Sequence, residues 1–358
     1  MGGLRLLLAL MVAINHLEFR LPLFDSRFAV QMFFLISGFY MAMVWNERYR
    51  HYKSPVRSFY ISRALRIYPV YFIVLLATIP IAWYGLIQGY ESPLVAPIDA
   101  PLTGWAWTLV YAPQITLFGM DLQGFAYRLA DGTLQLTGSV RNHPLPWIVH
   151  YQFVPQAWTL ACELTFYLIV PFAILRWKVA ASLFFLSILS RAIFWIYRSP
   201  QETLGTAFFP FELALFLAGS LSYTIWTHIK EKVLKAFSSR FSVALVAMSP
   251  VLMALSFNVI HNKLGEAAYW VCYAYAALTI PLLFEWSKHS APDKQFGELS
   301  FPVYISHFLV IDALLSVGID RPPIQVLLFT FLLSILLVAV QKKIDAYRTS
   351  LNRKAAVL

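Results

Sequence analysis

Charge is what this sequence has least of, and negative charge least of all. Only 13% of its 358 residues are Asp, Glu, Lys or Arg, and 18 acids face 28 cations. The resulting formal charge of +10 and pI near 9.5 would suit nucleic acid, but the cations fall between apolar blocks and form no single basic patch. A nucleic-acid footprint is therefore not expected. Cysteine is almost missing: Cys162 and Cys272 both sit inside apolar stretches without metal-ligand spacing, which excludes a disulfide framework and a zinc site, and no metal is expected. Neither a basic leader nor a small-residue cleavage site accompanies the first apolar run, so it is taken as a retained span. No internal repeat points to an inverted-repeat transporter.

What the chain has is apolar surface. It is 59% hydrophobic and 16% aromatic, with mean hydropathy +0.64, more than a soluble domain of this size can bury. Taking about 20 residues per crossing, we expect an all-α polytopic membrane protein with about ten transmembrane helices. Their spans are 4–18, 28–46, 68–88, 157–176, 179–197, 207–227, 241–260, 267–286, 299–317 and 322–341. Arg48, Arg50, Lys53, Arg57, Arg63 and Arg66 crowd the second connection, which the positive-inside rule places in the cytoplasm, and alternation then makes both termini cytoplasmic. One long non-helical outer loop, about 89–156, is rich in Pro, Trp and Tyr. It includes Trp105, Trp107, Tyr111, Trp147, His150 and Tyr151, a content that fits either a folded cap able to stack on sugar rings or an aromatic interfacial belt. Residues 1–341 form one membrane domain, and 342–358 form a short basic cytoplasmic tail.

Three polar clusters interrupt the apolar background. Arg5 and His16 lie eleven residues apart on the first helix, hence on nearly one face and roughly 16 Å apart along the axis. They either anchor the helix at its two interfaces or face a shared wet interior. Arg63 and Arg66 are three residues apart at the inner mouth of the third helix, where paired guanidiniums suit phosphate or carboxylate and also serve as ordinary anchors. Glu163 lies about a turn and a half inside the helix opening at Trp158. A carboxylate at membrane depth needs a partner, and His16 or Arg5 is the expected one. A His–carboxylate pair would fix the imidazole tautomer and strengthen it as a general base. The small pair Ser37–Gly38 is expected chiefly to permit close helix packing. His307 either lines the same cavity or is a satisfied interior histidine.

Taken in order, these residues resemble the membrane acyltransferase-3 family. The matching elements are Arg5-x10-His16, Phe33-Phe34-x-x-Ser37-Gly38-Phe39, Arg63-x-x-Arg66 leading into Tyr68-Pro69, Trp158-Thr159-Leu160-x-x-Glu163-x-x-Phe166-Tyr167, and Gly297-x-x-Ser300-Phe301-x-x-Tyr304-x-x-His307. Thr159 stands where the family commonly has Ser. The resemblance implies an acyltransferase of the bacterial inner membrane that moves an acyl group, commonly acetyl from acetyl-CoA, onto a hydroxyl of a surface or exported carbohydrate. It makes His16 the general base, Glu163 a group that orients or charges the site, and Arg5 a helper in holding the donor. Arg63 and Arg66 become ligands of the CoA phosphates, and Trp158, Ser37, Tyr167 and His307 substrate-facing positions. A lipid or saccharide transporter, with Arg5, His16 and Glu163 lining a path, is the rival reading. A glycosyltransferase using Glu18 and Asp25 is a third, opposed by the lack of a tighter acidic motif and by the basic inner mouth.

Overall fold

The computed structural model describes residues 1–17, 25–90, 93–94, 98–137, 147–174, 176–197, 207–237 and 239–356. Helices α1 (Gly2–Asn15), α2 (Ser26–Glu47) and α3 (Pro55–Ile87) open the chain. Then comes a cap holding α4 (Ala106–Thr116), α5 (Met120–Gln123) and the hairpin β1 (Ala126–Arg128) to β2 (Leu134–Leu136). Helices α6 (Trp158–Ala173), α7 (Trp177–Tyr197), α8 (Phe209–Ala236), α9 (Arg240–Leu255), α10 (Phe257–Leu264), α11 (Ala267–Ser287), α12 (Ala291–Ser316) and α13 (Pro323–Ala356) complete the bundle.

Among the described residues each expected span holds a helix, but the lengths depart from the apolar runs. Among the described residues seven helices are long and apolar enough to cross a membrane, or eight if α9 and α10, bent by 68° at Ser256, count as one span. At 14 residues α1 is about 21 Å long, short of a hydrocarbon core of about 30 Å. Conversely α3 starts at Pro55, so Arg57, Arg63 and Arg66 already ride on helix, and α13 runs on to Ala356. Polar helical turns carry no apolar signature, which is why the spans look shorter in the sequence.

The polypeptide runs up and down between two ends. At one end, called basic here, the Met1 amine meets Asp293 at 2.7 Å, Tyr223 donates to Glu47 at 3.0 Å and Lys230 pairs with Glu285 at 2.9 Å. At the other, Tyr269 donates to Asp25 at 2.8 Å and Arg27 pairs with Glu266 at 3.0 Å. Lipid-facing surface is plain where apolar side chains stay bare: Leu278 is 76% exposed and Ile324 79%.

Inside, one hydrophobic cluster unites most of the helices. A polar knot joins four of them. Arg191 of α7 lies 3.5 Å from Glu212 of α8, Gln31 of α2 donates to both oxygens of Glu212, and Tyr273 of α11 donates to Gln31 at 2.6 Å. Trp195 and Trp270 flank the guanidinium. At that depth each member needs the others, so the knot fixes the register of the helices that carry it.

The stretch 89–156 corrects one expectation: it is not a helix-free loop. Among its described residues, Leu102, Ala106, Val110, Ala126, Ile148 and Tyr151 build a small core of their own. Gln114 ties it together, donating to Val110 and Tyr151 carbonyls while accepting from the Phe153 amide. It is therefore a folded cap. Glu18, Pro97, Pro144 and Pro146 lie outside the described residues.

Candidate active site

Two cavities lie end to end along α1. The one toward the basic end, of about 250 Å³, is lined by Arg5, Arg63, Arg66 and Arg348 together with Ser37, Glu163 and Tyr167. The one under the cap, of about 390 Å³, is lined by His16, Arg27, Asp121, Gln152, Gln156 and Trp158. Val30 and Tyr304 belong to the walls of both. Thus the helical spacing of Arg5 and His16 does what it implies: one face of α1 presents a cation to the first cavity and an imidazole to the second.

Tyr304 is the partition, and its hydroxyl is firmly held. It contacts Thr159 Oγ1 at 2.9 Å and donates to the Gln156 carbonyl at 3.2 Å, while Gln156 Nε2 donates to the Ile305 carbonyl at 2.7 Å. The Thr159 that stands in for Ser thus keeps the hydroxyl this network uses.

Around the basic-end cavity, Arg5 lies over the Tyr40 ring at 5.9 Å, and Arg63 over Tyr49 and Phe59 at 5.9 and 5.8 Å. Such faces hold a guanidinium without neutralising it. Arg63 Nε is buried with no hydrogen-bond partner among the described residues. Arg66 and Arg348 share one carboxylate, Asp345, at 3.3 and 3.1 Å. Glu163 receives hydrogen bonds from Ser37 Oγ at 2.6 Å and from the Tyr167 hydroxyl. Its hydrogen-bond partners are therefore two hydroxyls and not the expected imidazole or guanidinium. For His16 the reason is geometric, since Glu163 faces the basic-end cavity and His16 the other; Arg5 shares the cavity of Glu163 but lies over the Tyr40 ring. Ser37, expected chiefly as a packing residue, is a donor to this acid.

In the cap-end cavity, His16 Nδ1 lies 2.8 Å from the Val12 carbonyl. A carbonyl only accepts, so Nδ1 carries the proton and Nε2 the lone pair. The ring lies 5.3 Å from His307 and 4.7 Å from Phe308. His307 is fully buried with the same tautomer, Nδ1 donating to the Tyr304 carbonyl at 2.6 Å. Its Nε2 has no hydrogen-bond partner among the described residues. Trp158 forms part of the same wall.

Three contributors went unseen in the sequence. Arg27 had only its place near a helix start as a signal, and Arg348 only its Asp345-x-x-Arg348 spacing. Asp121, a lone acid in an aromatic stretch, had none. It is 6% exposed on α5, in the cap, and burial pushes its carboxyl above the usual carboxylate range although backbone amides, including that of Phe209, offset part of this. The folded state thus resists ionisation: stability falls as pH rises through the interval from the unfolded to the raised folded pKa, and the penalty persists above it. Asp121→Asn is expected to melt higher than the parent at pH 8 and to lose that advantage at pH 4. Thermal melts at both pH values check this; equal melting at pH 8 would remove the burial argument.

A family model described as an acyltransferase domain matches residues 1–340. The chain belongs to the membrane acyltransferase-3 family. An uncharacterized protein of Aquifex aeolicus (strain VF5) is 22% identical over 212 residues, which cover 56% of this chain and 91% of that protein. No solved structure matches. As a membrane acyltransferase, the protein needs an acyl donor and an acceptor that meet at one reacting centre. Two cavities sharing a wall are a direct structural counterpart of that need.

Proposed function

We propose that this acyltransferase moves an acyl group, acetyl in the simplest case, from acyl-CoA at the basic end to a carbohydrate hydroxyl under the cap. The observation that carries the reading is the pair of adjoining cavities, one lined by arginines and the other by His16, with Tyr304 and Val30 between them. The basic end is cytoplasmic on this reading, where CoA thioesters are made, and the bilayer is that of the bacterial inner membrane. Arg63 and Arg66 take the CoA phosphates with help from Arg5, because guanidiniums match phosphate oxygens bidentately. Glu163, fixed by Ser37 and Tyr167, sets the charge of the channel that the pantetheine arm follows.

Chemically the transfer is a substitution at the thioester carbonyl. His16 Nε2 removes the hydroxyl proton, the oxygen attacks the carbonyl carbon, and the new ester forms as the C–S bond breaks. The departing thiolate takes the proton back from the imidazolium, so atoms and charge balance. Trp158 at the cavity wall gives the sugar an apolar face, and His307 backs the imidazole.

The test uses the full chain reconstituted in liposomes with radiolabelled acetyl-CoA on the basic side and candidate oligosaccharides on the cap side. Label appearing on the saccharide is the expected result. Saccharide crossing the bilayer while label stays on CoA would overturn the reading in favour of transport.

A further inference from the structure

The basic-end cavity holds more positive charge than the family elements account for. Four guanidiniums line it, from Arg5, Arg63, Arg66 and Arg348, along with one acid, Glu163, that is already taken by two hydroxyls. Arg348 comes from α13, beyond the residues that the family model matches. Its Nη2 lies 3.1 Å from Asp345 Oδ1, whose other oxygen takes Arg66 Nη1 at 3.3 Å, and Gln341 Nε2 donates to the same carboxylate at 2.9 Å. One carboxylate thus serves two cations, while Arg5 and Arg63 rest on aromatic faces and Arg63 keeps a buried Nε with no partner among the described residues. With Asp345 and Glu163 ionised, an excess of two positive charges is left in a half-enclosed space. A buried donor without an acceptor is costly and points to a ligand.

We propose that Arg348 is a fourth donor-binding residue, gripping the pyrophosphate of the acyl-CoA, and that Asp345 is its resident counterion. This rests on the donor reading above. A pyrophosphate brings two negative charges, equal to the excess, and offers paired oxygens to forked guanidiniums. Asp345 holds Arg66 and Arg348 at the cavity wall. As the phosphates enter they compete with Asp345 for the same N–H groups, so the carboxylate weakens binding as well as ordering the site. The end of α13 is on this view part of the donor site and not a solvated tail.

The experiment measures CoA and pantetheine binding by calorimetry on the full chain in nanodiscs. Arg348→Gln should weaken CoA about tenfold and leave pantetheine unchanged, since pantetheine lacks the pyrophosphate, and Arg348→Lys should recover part of the loss. Asp345→Asn should tighten CoA several-fold. Lys342→Gln, which removes a 62% exposed cation of α13 paired with Glu298 of α12, should change neither, separating contact from general field. Arg348→Gln binding CoA like the parent, or losing CoA and pantetheine equally, overturns the assignment of Arg348. Asp345→Asn binding CoA more weakly overturns the counterion role. A parent chain that binds no CoA instead overturns the donor reading itself.

Discussion

Replacing His16 by alanine is expected to lower the acyl-transfer rate by about 10²- to 10⁴-fold, the usual contribution of a positioned general base. CoA binding should stay the same. The two readouts separate because the imidazole and the guanidiniums line different cavities. His16 is prepared for the role by its own helix: the Val12 carbonyl takes the Nδ1 proton at 2.8 Å, which leaves Nε2 as the basic nitrogen. His307 cannot readily substitute, being fully buried behind His16 and not among the residues that line either cavity. Kinetics with labelled acetyl-CoA, beside calorimetric CoA affinity, check this. His16→Ala working within twofold of the parent would overturn the base assignment.

How far the sequence foretells this site differs from residue to residue. Local periodicity placed Arg5 and His16 on one face, since eleven residues of helix make about three turns whatever the tertiary context. The all-α bundle followed from apolar runs of membrane length, because lipid permits few other backbones. What local pattern does not carry is which helix meets which. Glu163 was matched to a charged partner on chemical need, yet the fold turns it toward Ser37 and Tyr167. Arg348 was hidden differently: past residue 341 the helix turns polar, and a basic polar stretch reads as solvated until α13 is seen passing the mouth of the cavity. Asp121 depends on the fold of the cap, whose small core is assembled from residues far apart in sequence. Position in space, not residue type, brings these three to the cavity walls.

The adjacent pair Ser37–Gly38 yields the sharpest structural test, because its two members do different things. A Cβ on Gly38 would lie 1.8 Å from the Phe216 carbonyl oxygen, and one on Gly219 would lie 1.9 Å from that of Leu35. Helices α2 and α8 therefore touch backbone to backbone, and Ser220 Oγ donates across the contact to the Gly38 carbonyl at 3.0 Å. Ordinary contact begins at 3.4 Å, so alanine at Gly38 must push that carbonyl back by about 1.6 Å. Neither helix can yield alone, since both also carry the buried knot around Glu212. Overpacking of this kind costs about 1–3 kcal/mol, and more when backbone meets backbone. Gly38→Ala should accordingly melt roughly 2–4 °C below the parent, with Gly219→Ala behaving alike and the double variant losing less than the sum. Ser37→Ala should do the reverse: it removes one hydrogen bond to Glu163, worth about 1 kcal/mol, and so lowers acyl transfer with little change in melting. Gly38→Ala melting with the parent would show that the two backbones do not meet at this point.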